Sequence, residues 1–281
     1  VRFALWAPDA HSVEVCLAPD QRLPLQRGAD GWFRAVWPAV AGSEYRYCID
    51  GELRIADPAS RYQPQGVHGP SQVVDPAAFS WQHKHWQGRP WHEAVIYEVH
   101  VGLMGGYARV IEQLPRLAAL GVTAIELMPL GQFPGERNWG YDGVLPFAPQ
   151  HSYGTPEQLC QLIDAAHGHG LMVLVDVIYN HFGPDGNYLG QYASDFFRQD
   201  RQTPWGAAID FRRQQVREFF IENALMWLHD YHFDGLRLDA VPDETTVHRE
   251  LEAALESEVV DPTYQTKPLV GPHPLKQLIL P

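Results

Sequence analysis

Two spacings of apolar residues divide the chain. Over the first 88 residues, apolar and polar side chains alternate in short runs: Val1–Trp6, Ser12–Leu17, Gly31–Trp37 and Glu44–Ile49. Turn residues separate these runs, and Asp50-Gly51 is a hairpin signal. Alternation with period two buries one face of a strand and wets the other. Several such strands predict two sheets packed face to face, an all-β sandwich of the immunoglobulin-like kind. Residues 61–91 then bring Pro64, Pro70, Pro76 and Pro90 among several His and Gln, which reads as an extended connector ending near residue 88.

Beyond it, apolar runs alternate with helical periods. Ala94–Gly102, Val122–Met128, Leu171–Ile178 and Asp234–Ala240 read as strands. Between them Tyr107–Leu120, ended by Gly121, a segment opened by Thr155-Pro156, and Arg212–Tyr231 read as helices. The third strand is apolar on both faces, as a parallel strand covered on both sides must be. Regular βαβ alternation of this kind predicts a parallel sheet with right-handed crossovers, a (β/α) barrel of which four units are evident. Loops 130–153 and 179–212 then fall at the C-terminal ends of the strands, where such barrels gather their chemistry.

The polar residues that interrupt these strands are the candidate chemistry. The third strand breaks into Asp176, Asn180 and His181 at its C-terminal end, and the fourth carries Arg237 and Asp239. Positions i and i+2 of a strand share a face, so Arg237 and Asp239 are expected side by side. A neighbouring cation favours the ionised carboxylate that a nucleophile requires. An Arg–Asp pair closing a strand serves a purely structural role equally well, and the heptapeptide alone does not choose between the two.

Composition narrows the partners. A formal net charge of −13 disfavours nucleic acid and anionic membranes, which attract basic surfaces, and leaves neutral substrates. Cys16, Cys48 and Cys160 are widely spaced and odd in number, so neither a disulfide framework nor a zinc site is expected. No carboxylate cluster suggests a metal and no motif suggests a cofactor. The expected compartment is the cytoplasm: no apolar run approaches the roughly 20 residues of a membrane helix, and no basic-then-apolar leader opens the chain. The many aromatic residues suit either core packing or stacking on sugar rings.

Asp176-Val177-Ile178-Tyr179-Asn180-His181 and Gly235-Leu236-Arg237-Leu238-Asp239-Ala240 resemble, in order, two conserved regions of the α-amylase superfamily, glycoside hydrolase family thirteen. The resemblance implies a retaining glycosidase in which Asp239 is the nucleophile and Arg237 keeps it ionised. It also implies that His181 hydrogen-bonds the sugar and that Tyr141, within Asn138-Trp139-Gly140-Tyr141-Asp142, offers an aromatic platform beside Trp139. Asn180 and Asp176 would support the loop or touch substrate. The segments Tyr97–Gly102, Thr123–Pro129, Tyr153–Pro156 and Thr203–Gly206 look most like the family branch that cleaves the α-1,4 bond next to a terminal trehalose. Phe3–Pro8 is similar to the sandwich preceding the barrel in that branch and in glycogen branching enzymes. Glycogen branching enzymes are the nearest rival, and an α-glucan-binding protein without turnover is a third reading.

The family's general acid, a Glu ending a fifth strand, and its stabilising Asp, ending a seventh, are not found here. After Ala240 the sequence predicts a helix over 245–255, with Glu244, Glu250, Glu252 and Glu256 as a solvated face, then a proline-bearing tail. The expected domains are a sandwich with connector over 1–88, a partial barrel over 89–257 and a tail of uncertain structure over 258–281. About 190 residues follow the connector, against roughly 250 in a whole barrel. A shortened form of a longer enzyme, inactive for want of its acid, is the expectation.

Overall fold

A computed structural model describes residues 1–17, 21–239 and, for the backbone alone, 277–279. In chain order the first eight strands are β1 (Arg2–Trp6), β2 (Val13–Leu17), β3 (Gln21–Pro24), β4 (Gln26–Arg27), β5 (Trp32–Val36), β6 (Glu44–Ile49), β7 (Leu53–Ile55) and β8 (Ser71–Gln72). They are followed by β9 (Ile96–Val99), α1 (Val101–Met104), α2 (Tyr107–Leu120), β10 (Ala124–Leu127), β11 (Gly131–Gln132) and β12 (Leu145–Pro149). Then come α3 (Pro156–Gly168), β13 (Met172–Ile178), β14 (Phe197–Thr203), β15 (Gly206–Ile209), α4 (Gln214–Leu225), β16 (Gly235–Asp239) and β17 (Gln277–Ile279). Two units emerge: one takes 1–75, 130–156 and 181–216, the other 76–129, 157–180 and the described residues from 217 onward.

In the first unit, β1-β5-β4 and β3-β2-β6-β7 form the two sheets, with β8 added to β6. Their alternating residues Phe3, Leu5, Val13, Val15, Phe33, Tyr47 and Ile55 are buried, the outcome that period-two placement predicts. Two buried tyrosine hydroxyls find partners. Tyr45 donates its hydroxyl to Asp57 at 2.8 Å, and Tyr47 donates to the Ala4 carbonyl at 3.1 Å. The hairpin signal is also realised: Asp50 and Gly51 turn between β6 and β7 with φ of 50° and 78°, values that Asp and Gly tolerate better than branched residues.

In the second unit, β9, β10, β13 and β16 lie side by side in parallel and β17 adds a fifth parallel strand beside β16. The tail thus contributes a strand that no sequence signal indicates. The helix expected over 245–255 and the end of the fourth strand at Ala240 lie outside the described residues. Leu236 and Leu238 are buried together with Val173, Val175, Ile125 and Leu127, on the sheet face opposite Arg237 and Asp239. The first barrel strand is shorter than Ala94–Gly102, because the His100 imidazole accepts the Leu103 N–H at 3.1 Å and starts α1 instead. Helix α4 continues through one π-type turn over Met226–Asp230. Inside it Asn223 Oδ1 accepts from both Tyr179 and Trp227, which satisfies a buried amide oxygen.

The proline-rich connector is fixed rather than loose over 82–94. Asp164 accepts the backbone N–H groups of Gln82 and His83, and Trp86, Trp91 and Ala94 pack on Ala124, Met172 and Leu174. Apolar surface on the inner face of the open sheet is covered in this way. Asp234 is the hub of the arrangement. It accepts Trp86 Nε1–H at 2.7 Å and Val173 N–H at 2.7 Å, and it pairs with His167 at 3.0 Å. Asp234→Ala strands three buried or partly buried groups, and a loss of about 2 kcal/mol is expected. A urea midpoint unchanged from wild type would contradict it.

Candidate active site

Strand register brings the acidic and basic groups of the second unit onto one face. Asp176 on β13 is the direct cross-strand partner of Arg237 on β16, and Ile178 is the partner of Asp239. On the other side Glu126 of β10 pairs with Leu174 of β13 and with Glu98 of β9. Glu98, Glu126, Asp176, Arg237 and Asp239 therefore share the face that turns toward the interior of a barrel.

Among the described residues, Arg237 is the only cation in that row. Its Nη1 bonds Asp176 Oδ2, its Nη2 lies 3.3 Å from Asp239 Oδ1, and its Nε lies 3.8 Å from Glu126 Oε1. The Asp176 side chain is wholly buried, while Asp239 keeps 28% of its side chain exposed at the strand end. That difference assigns different work to the two carboxylates. Asp176 is fixed and inaccessible, so it orients Arg237. Asp239 is the one that an incoming molecule can reach. Burial pushes the Glu126 carboxyl above its ordinary range, Arg237 opposes that shift, and Glu98 adds to it.

Sequence spacing anticipates the Arg237–Asp239 neighbourhood but not the closer bond to Asp176, which depends on cross-strand register. It also overlooks Glu126 as a site residue. The available signal was a lone acid in a strand buried at every position, Ala124–Leu127. Asn180, just past β13, is 2% exposed.

The first unit holds the other candidates: Trp139, Tyr141 and His181. Asn138 organises its loop by accepting Gly140 N–H at 2.7 Å through Oδ1 and donating Nδ2–H to Asp142 at 2.5 Å. Gly140 adopts φ 102° between Trp139 and Tyr141, a conformation suited to glycine. Trp139 is 70% exposed. The loop that bears His181 docks closely on this one, with Gly183 N–H donating to the Gly143 carbonyl at 3.0 Å. His181 is buried, and its ring stacks on Trp205 with centroids 5.5 Å apart. Trp205 stands at the tip of the β14–β15 hairpin, held by Thr203, whose hydroxyl accepts the Trp205 N–H and donates to Gly206. The Thr203-Pro204-Trp205-Gly206 turn was visible in the sequence, but its stacking on His181 was not.

A β-sandwich and parallel βα units, with carboxylates and an arginine at the strand ends, define the sandwich-plus-(β/α)-barrel class of fold. Residues 88–205 match the alpha amylase catalytic domain, and residues 1–74 match carbohydrate-binding module 48, the isoamylase N-terminal domain. The chain belongs to the α-amylase superfamily of glycoside hydrolases. It is 44% identical over 261 residues to malto-oligosyltrehalose trehalohydrolase of Deinococcus radiodurans, covering 91% of this chain and 43% of that one. A glucan branching enzyme of Pseudoalteromonas atlantica is 34% identical over 274 residues, covering 85% of this chain and 38% of that one. A crystal structure of a candidate alpha amylase from Salmonella typhimurium superposes with a TM-score of 0.87 at 44% identity, over 92% of this chain and 45% of that one. The chain thus spans less than half the length of these relatives. No helix among the described residues is long and apolar enough to cross a membrane.

Proposed function

We propose that this chain carries the nucleophile and sugar-binding part of a retaining glycoside hydrolase acting on maltooligosyltrehalose. The observation that carries the reading is Arg237 bridging a buried Asp176 and an accessible Asp239 at the ends of adjacent parallel strands. In this reading an Asp239 carboxylate oxygen attacks the anomeric carbon, and the α-1,4 bond to the terminal trehalose breaks. The departing oxygen takes a proton from a general acid, and water then releases the sugar from Asp239. His181 and Asn180 hydrogen-bond the sugar, and Tyr141 and Trp139 offer ring faces to it. Arg237 keeps Asp239 oriented and charged.

Such a mechanism requires a carboxylic acid about 5 Å from the nucleophile, and no residue up to Asp239 is assigned that role. A substrate whose leaving group needs no proton is therefore the fitting probe of this chain. Three free cysteines suit a reducing compartment, and we place the chain in the cytoplasm.

The choice of trehalose-capped substrate rests on the greater similarity to the trehalohydrolase than to the branching enzyme. Calorimetric titration separates the two. Maltotriosyltrehalose is expected to bind at least about tenfold, or about 1.4 kcal/mol, more tightly than maltopentaose. Equal affinity for the two pentasaccharides would favour the branching reading.

A further inference from the structure

The β3-β2-β6-β7 sheet of the first unit brings two of the three thiols together on one face. In β2 the side chains of Val13, Val15 and Leu17 are buried in the sandwich, and in β6 those of Tyr45, Tyr47 and Ile49 are. Glu14, Cys16, Arg46 and Cys48 therefore share the opposite face. Cys16 is the direct cross-strand partner of Arg46, and Glu14 is the direct partner of Cys48. The two cysteines thus stand diagonally across one antiparallel pair, a relation that sets backbones about 7–8 Å apart and Cβ atoms somewhat closer.

The two sulfurs have different surroundings. Cys16 is partly exposed, whereas Cys48 is fully buried. Arg22 of β3 lies directly across from Cys16, and Arg54 of β7 lies directly across from Cys48. Burial and the nearby Cys48 push the Cys16 thiol up, while Arg22 and Arg54 oppose that shift. A thiol raised in this way reacts slowly, but its thiolate has two guanidinium groups to favour it once formed. An oxidant arriving from solvent meets Cys16 first, with Cys48 behind it. That order is the arrangement of an attacking thiol beside a resolving one. Cys160, in α3, is a built-in control, because burial pushes its thiol up to about 12.

We infer that Cys16 and Cys48 form a hydroperoxide-sensitive dithiol that closes into a reversible disulfide between β2 and β6. The Cys16 thiolate attacks one peroxide oxygen, the O–O bond breaks, and the departing hydroxide takes up a proton as water. Cys16 is left as a sulfenic acid. The Cys48 sulfur then attacks the Cys16 sulfur, the S–O bond breaks, and the hydroxide leaves as water with the Cys48 proton. The peroxide is reduced to water and the two thiols are oxidised to one disulfide. A diagonal pair lies at the far end of the span that a disulfide can bridge, so the strands must draw together to close it. A bond closed under strain is readily reduced, which suits a switch better than a permanent cross-link. No group assigned to the sugar chemistry takes part, so this inference and the proposed function fail separately.

The test treats the whole folded chain with hydrogen peroxide, alkylates the remaining thiols after unfolding, and maps the peptides by mass spectrometry. The expected product joins the peptides of Cys16 and Cys48 with a loss of about 2 Da, the mass of the two thiol hydrogens. Cys160 should be alkylated as before, and titratable thiols should fall from three to one. Dithiothreitol should restore all three. In Cys48→Ser the reaction should stop at Cys16, where dimedone captures the sulfenic acid, with circular dichroism confirming that the variant is folded. Cys16 carried on to the sulfinic acid while Cys48 stays a free thiol, a bridge that includes Cys160, or no thiol lost from the folded chain overturns the inference.

Discussion

Arg237→Met is expected to destabilise the chain by about 3–5 kcal/mol, because it leaves buried carboxylates without their counter-charge. Asp176 has no exposed side-chain surface and Glu126 has little, and both lie against the same guanidinium. Removing that group does more than delete hydrogen bonds worth about 1 kcal/mol each. It leaves negative charge in a low-dielectric setting, with the exposed Glu98 adding repulsion from the same row. The loss should shrink as the solution is acidified. Glu126 already has its carboxyl pushed up by burial, and Arg237 is the group restraining that shift. Without Arg237 the folded state favours a protonated Glu126 still more, so acid restores part of the stability. Arg237→Lys keeps a charge but loses the fork that reaches several carboxylates, and it should fall between the two. Urea denaturation at neutral and mildly acidic pH checks the series. Equal midpoints for wild type and Arg237→Met at neutral pH would mean that the row is solvated rather than buried.

Gly183→Ala should cost about 3 kcal/mol despite adding a single methyl group. A Cβ at this position would lie 2.2 Å from the Asp142 carbonyl oxygen and 2.7 Å from its carbonyl carbon, and backbone cannot swing aside as a side chain can. The two loops must part, and the bond from Gly183 N–H to Gly143 is lost with them. Those loops carry His181 and Tyr141, so the same variant should also weaken binding of maltooligosaccharides. Thermal unfolding combined with titration measures both effects. A variant as stable as wild type would show that the loops are not in contact in solution.

The elements that could be read from the sequence were those whose own residues decide them. Helix α2 runs from Tyr107 to Leu120, as its period and Gly121 predict, and Leu171–Ile178 contains β13 because all of it but Asp176 is apolar. The pairs β11–β12 and β14–β15 fell inside segments read as loops. Gly131–Gln132 is too short to show a period, and Phe197–Thr203 is mostly polar and exposed. The connector read as extended, but its attachment could not be foreseen, since Asp164 and Asp234 lie far along the chain from Gln82 and Trp86. The candidate site shows the same division. Arg237 and Asp239 are neighbours by the arithmetic of one strand. The bond of Arg237 to Asp176 and the approach of Glu126 depend on how three strands align, which no single segment encodes.

The account stands on Asp239 as the residue that forms a bond to sugar. A 5-fluoro-α-maltosyl fluoride probe isolates that step, because fluoride leaves without a proton from a general acid and the ring fluorine slows release of the trapped sugar. After incubation with the intact chain, peptide mass spectrometry should find the maltosyl adduct on the peptide containing Asp239. Asp239→Asn should remove it while leaving the circular dichroism spectrum unchanged. An adduct on any other carboxylate, or none on a folded chain, would contradict the assignment.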